Sequence, residues 1–108
     1  KYHNRKTLCF SKHLHDSKFE AEYCNKLLAM KQQGDIKSYE VQKSFDLAGS
    51  GKLICRHVVD FYVITPTGAL EIHETKGVKT DVWSLKRKLF EVLYPNIFYR
   101  LITKKKNK

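Results

Sequence analysis

No stretch of the chain approaches the roughly 18 consecutive apolar residues that a membrane span requires. The basic opening Lys1-Tyr2-His3-Asn4-Arg5-Lys6 is not followed by the apolar segment of a signal peptide. Neither membrane insertion nor secretion has support, and the expected location is the cytoplasm. Cysteine is sparse as well: Cys9, Cys24 and Cys55 are odd in number, widely spaced and form no C-x-x-C pair. That excludes a disulfide framework and suits free thiols in a reducing compartment. Cys9 with His13 and His15 is not a usual structural-zinc spacing, so zinc is not expected. The third shortage is of acidic residues, 11 Asp+Glu against 21 Lys+Arg, for a formal net charge of +10. An excess of this sign points to a phosphate-rich partner, with a membrane surface the weaker alternative.

What is present is the composition of one small globular domain: 108 residues, 42% hydrophobic and 12% aromatic, enough for one modest core. Residues 1–15 are polar, rich in His and Lys and without periodicity, and read as an irregular basic arm with a short strand near Leu8 to Phe10. A single domain is expected over 16–103, with 104–108 (Lys-Lys-Lys-Asn-Lys) as a flexible basic tail.

Within the domain, Asp16 or Ser17 can cap a helix to about Gln33, on which Phe19, Tyr23, Leu27 and Met30 recur at helical spacing. Gly34-Asp35 stops it. Ile36 to Leu47 reads as a strand, Gly49-Ser50-Gly51 as a turn, and Leu53 to Ile64 as a second strand. Pro66-Thr67-Gly68 leads to a third strand, Ala69 to Thr75. Thr80 or Asp81 can cap a helix from about Val82 to Leu93 whose apolar stripe is Val82, Leu85, Leu89 and Val92. Pro95 ends it, and Ile97 to Ile102 is a final strand. The order αβββαβ implies an α/β (α+β) fold, a mixed sheet flanked by helices.

The chemistry concentrates where core should continue. Asp60 interrupts Val58-Val59-Asp60-Phe61-Tyr62-Val63-Ile64, a run apolar at both parities, and a buried carboxylate there needs a partner. On the third strand, Leu70, Ile72, Glu74 and Lys76 share a face, so an apolar face turns ionic at the strand's end. Asp60 and Glu74 could hold one hard cation, and Mg²⁺ suits an open oxygen cage of this kind. Lys76 could orient or deprotonate a water attacking a phosphodiester. The bland alternative is a Glu74–Lys76 ion pair at a strand end with Asp60 capping a turn. Helix phase bears on the choice: Glu20 lies on the stripe Glu20, Cys24, Leu27, Lys31 and faces inward, whereas Glu22 faces water. From Lys76 onward ten basic residues stand against two acidic ones. His57 and His73 are offset from the acidic face and read as structural residues.

Five segments in order, Ser17-Lys18-Phe19-Glu20-Ala21, Tyr39-Glu40-Val41-Gln42, Val59-Asp60-Phe61, Glu74-Thr75-Lys76-Gly77 and Leu85-Lys86-Arg87-Lys88-Leu89-Phe90, resemble the PD-(D/E)xK nuclease superfamily. Within it they are closest to a group of small phage and prophage endonuclease-like proteins. Val59 stands where the superfamily has Pro. The resemblance implies a restriction-endonuclease-like core in which Asp60 and Glu74 bind Mg²⁺, which Mn²⁺ can replace. Lys76 would be the catalytic lysine and Glu20 a direct ligand or a carboxylate behind the ligands. Gln42, Lys79, Lys86 and Arg87 would contact phosphate or water, Lys86 lying on the wet side of its helix with Arg87 and Lys88. The expected function is a metal-dependent DNA endonuclease selective for branched or junction DNA, working as a homodimer on two strands, with no small-molecule cofactor. The alternatives are a non-catalytic nucleic-acid-binding module and a nuclease subunit of a larger transposition or repair complex.

Overall fold

The computed structural model describes residues 7–9, 14–15, 17–75 and 79–103. Their order is β1 (Thr7–Leu8), β2 (Leu14–His15), α1 (Lys18–Gln33), β3 (Ser38–Gly49), β4 (Lys52–Ile64), β5 (Leu70–Glu74), α2 (Asp81–Leu93) and β6 (Ile97–Leu101). From α1 onward this is the expected αβββαβ order.

Each element has a local cause. Ser17 caps α1, its hydroxyl accepting the Glu20 amide at 3.1 Å. Gly34, at φ 84°, ends the helix in the left-handed region that glycine enters without strain, and the Asp35 amide closes back on the Met30 carbonyl. Ser50 and Gly51, at φ 51° and 77°, turn β3 into β4 in the handedness that matches strand twist. Replacing Ser17 with Ala should cost about 1 kcal/mol, read as a lower urea midpoint at unchanged slope.

The main sheet runs β3-β4-β5-β6. The first three strands form an antiparallel meander, and β6 lies parallel to β5 with Leu70 opposite Ile97 and Glu74 opposite Leu101. A parallel neighbour requires a crossover, and α2 is that crossover. Core forms on both faces. Tyr23, Cys24 and Leu27 of α1 pack with Cys9, Ile36, Phe61 and Val63. On the other face Trp83 and Phe90 of α2 pack with Phe45, Leu47, Val59, Ile72 and Tyr99. Among the described residues no helix is long and apolar enough to cross a membrane.

Two expectations change. Within the arm expected over 1–15, β1 and β2 pair antiparallel, with Thr7 opposite His15, and Cys9 is buried in the α1-side core. The stripe expected to bury α2 faces outward instead, with Val82, Leu85 and Val92 exposed at 64%, 69% and 74%. The helix seats Trp83 and Phe90 because aromatic rings remove more apolar surface from water than valine or leucine. Leu89, at the edge of that stripe, packs against the core. Arg87, expected on the wet side with Lys86 and Lys88, consequently turns toward the sheet, its guanidinium carbon 4.9 Å from the Tyr99 ring centre.

Candidate active site

Asp60 and Glu74 occupy facing positions on neighbouring antiparallel strands, since Phe61 pairs with His73 one step away. Glu74 is buried, 2% exposed, and one of its oxygens, Oε2, accepts the backbone amide of Asp60 at 3.1 Å. Asp60 is half-buried, and its Oδ2 accepts both the amide of Thr75 at 2.8 Å and the Thr75 hydroxyl at 2.9 Å. The carboxylate that interrupts an apolar strand is thereby offset by two donors from the next strand. Both are aimed at one oxygen, and no described residue donates to Asp60 Oδ1. Thr75 is the site residue that sequence reasoning passed over. Its signal was a hydroxyl side chain between Glu74 and Lys76.

The backbone is irregular at this level. Residues 57, 59, 61 and 63 share strand parity, yet Val59 packs on the α2 side and Phe61 and Val63 on the α1 side. The same switch occurs on β3 between Val41 and Phe45. At its centre Gln42, facing Asp60 between the pairs Val41–Phe61 and Lys43–Val59, has φ 56°. A non-glycine residue in that region is uncommon and costs about 1–2 kcal/mol, and such strain concentrates at functional sites. The Gln42 side-chain amide donates to Glu20 Oε2 at 2.9 Å. Glu20 is buried at 5% while Glu22 is exposed, as the helix phase implied.

Glu20, Gln42, Asp60 and Glu74 thus gather where α1 meets the middle of β3, β4 and the end of β5. They form two units: Gln42 with Glu20, and Asp60 with Glu74 and Thr75. Among the described residues no three His, Cys, Asp or Glu side chains form a group able to hold a metal ion, so Glu20 stands apart from the pair. Two carboxylates on facing strands still fit Mg²⁺ or Mn²⁺, hard cations commonly held by one or two carboxylates with water completing the shell. Lys76 lies outside the described residues, directly after Thr75. Lys79 is exposed ahead of Thr80, the cap of α2, and Lys86 is half-buried on the helix.

Both inner histidines are satisfied. His57 pairs with the Tyr99 hydroxyl across 2.7 Å. Burial, with the carboxylates of Glu74 and Asp60 adding to it, raises the Tyr99 phenol well above the ordinary tyrosine range, so it stays neutral beside the pair. His73 lies on the opposite face, its Nε2–H donating to Glu71 Oε1 at 2.8 Å and its Nδ1 accepting from the Tyr23 hydroxyl at 2.6 Å. Burial pushes the Tyr23 phenol up to about 12 and lowers His73 below its ordinary value, the bond to Glu71 opposing in part and Arg100 and Lys26 reinforcing. A histidine held neutral in the fold binds its proton more readily when unfolded. Its contribution is therefore full at neutral pH and is lost as pH falls below about 6.5. Urea unfolding at pH 7.5 and 5.5 should show that loss, and His73→Gln should flatten it.

A family model described as a protein of unknown function (DUF1064) matches residues 1–108. No curated protein and no solved structure matches the chain.

Proposed function

For this chain, which belongs to the DUF1064 family, we propose the activity of a Mg²⁺-dependent DNA endonuclease of PD-(D/E)xK type that hydrolyses phosphodiester bonds in branched DNA. The observation that carries the reading is the facing pair Asp60 and Glu74, with Thr75 binding one Asp60 oxygen and Lys76 two residues beyond Glu74. Asp60 and Glu74 would hold the cation, which supplies positive charge against the scissile phosphate. Thr75 fixes the Asp60 carboxylate, and the Asp60 amide fixes that of Glu74, so neither has to be ordered when substrate arrives. Gln42 keeps the Glu20 carboxylate turned toward the same strands. Lys76 would orient the attacking water or take its proton, and Lys79 and Lys86, with the basic excess that follows the site, would neutralise backbone phosphates. Two copies related by a two-fold axis would place one site on each strand of a branch.

A cleavage panel of duplex, single-stranded, flap and four-way-junction DNA with Mg²⁺ or Mn²⁺, run beside Glu74→Gln and Lys76→Ala, tests it. Incision of branched forms by the wild type and loss in both variants is the expected result. Tight DNA binding indifferent to Mg²⁺, with no DNA form cut, would instead establish a non-catalytic nucleic-acid module.

A further inference from the structure

α2 leaves an apolar row in water. Trp83 and Phe90 fill its inner face, while Val82, Leu85 and Val92 are exposed on the outer side, with Leu89 at the edge of the row and partly packed on the core. Single exposed apolar residues are ordinary, but an aligned row of them on one helix marks a contact surface. Val82 and Leu89 stand at the a positions of a heptad and Leu85 and Val92 at the d positions, the spacing by which one helix seats on another. A phosphate backbone has nothing to offer aliphatic side chains, so the row calls for a second apolar surface. The charges beside it say which. Asp81 and Lys88 fall at g, and Lys86 and Leu93 at e, the positions that decide partner and orientation. If a second copy ran antiparallel, the two-fold would carry each flank onto itself, setting Lys86 against the partner's Lys86 and Lys88 against the partner's Lys88. Such like charges oppose that arrangement. If it ran parallel, each g position would face the partner's e position five residues on. Asp81 then meets the partner's Lys86 on both flanks, and Lys88 meets the partner's Leu93, with no like pair.

We infer that the outer face of α2 is a dimer seam, on which a second copy of this chain seats its own α2 in parallel through Val82, Leu85, Leu89 and Val92, with Asp81 paired to the partner's Lys86. α2 is 13 residues long, just under two heptads, so the contact is at the small end of specific interfaces and the dimer is expected to be weak, dissociating at about micromolar concentration. A two-fold parallel to the helices keeps both α2 N-termini at one end of the dimer. Glu74 stands seven residues ahead of Asp81, so both carboxylate pairs lie toward that end, as action on two strands of a branch requires. Lys79 and Lys88 are left to phosphate. The use of the paired sites rests on the nuclease reading above; the seam itself does not.

Sedimentation of the full chain over a range of concentrations, in EDTA and without DNA, should show a monomer–dimer equilibrium. Leu85→Asp, at an exposed position, should weaken the dimer about a hundredfold by placing a charge in the seam, with the melting transition of the monomer retained. Asp81→Lys should weaken it about tenfold, and Asp81→Lys combined with Lys86→Asp should restore it. Where Asp81→Lys disturbs the start of the helix, Lys86→Asp alone gives the same loss away from the cap. Orientation is read by Val82→Cys under mild oxidation, with the wild type and its three native cysteines as control. A parallel seam brings the two introduced thiols together, whereas an antiparallel one sets them about 15 Å apart along the axis. A monomer at every concentration up to about 1 mM, or a dimer indifferent to both Leu85→Asp and Val92→Asp, overturns the seam. A dimer that these variants break, but that the charge swap does not restore and Val82→Cys does not cross-link, overturns the parallel pairing. With metal chelated and DNA absent, none of these outcomes depends on cleavage, so failure here and failure of the nuclease reading are separately visible.

Discussion

Asp60→Asn should reduce Mg²⁺-dependent cleavage by on the order of 10³-fold, the scale seen when a group stabilising charge at the reacting centre is removed, while DNA affinity holds or rises slightly. The substitution is chosen for its shape. Asn keeps an oxygen that can accept the Thr75 amide and hydroxyl now bonded to Asp60 Oδ2, so the strand pairing is retained and the charge is lost. With Asp60 and Glu74 as the facing pair, half the charge of the pair disappears. A second readout is independent of turnover: Mg²⁺ should raise the melting temperature of the wild type, as any ligand of the folded state does, and not that of the variant. Pure Asp60→Asn protein cutting at the wild-type rate would reject the nuclease reading.

Phe90→Ala should be the most damaging core substitution, costing about 3–5 kcal/mol in a domain whose total stability is expected near 5–15 kcal/mol. Phe90 is fully buried and its ring meets Phe45 at 5.0 Å, Tyr94 at 4.9 Å, Tyr99 at 5.4 Å and His57 at 5.9 Å. These contacts are the joint between α2, the β3–β4 hairpin and β6. Removing it undermines the helix that follows the carboxylates as well as the core. Val92→Ala, two residues along the same helix but 74% exposed, should change stability by no more than about 0.5 kcal/mol. Thermal or urea unfolding of the two variants distinguishes the observed orientation of α2 from the one its Val82-Leu85-Leu89-Val92 stripe suggests, under which Val92 would be costly.

That pair of variants marks a limit of pattern reading. α2 carries apolar residues on two sides, and periodicity alone cannot say which side the sheet takes; ring size broke the tie. Arg87 moved with it, from an expected wet face to a place against the rings of Tyr99 and Trp83. The α1 phase was legible because Glu20 shares the stripe of Cys24 and Leu27, which is buried, whereas Glu22 does not.

Strand parity behaved the same way. It set Ile72 and Glu74 on one face of β5, and it marked Asp60 as a charge in need of company, because alternation is a local rule that a regular strand obeys. It could not show that β3 and β4 reverse their faces together at Gln42 and Asp60, since that kink exists only in the pairing of two strands. Nor could it show that Thr75 supplies the hydrogen bonds which make Asp60 tolerable. Order of elements, caps, turns and the pair of carboxylates are written in short stretches of chain and follow from backbone sterics and side-chain alternation. Which face of α2 is buried, where the sheet kinks and which donors answer the buried charge depend on contacts between residues far apart in sequence, where competing burials are weighed against one another.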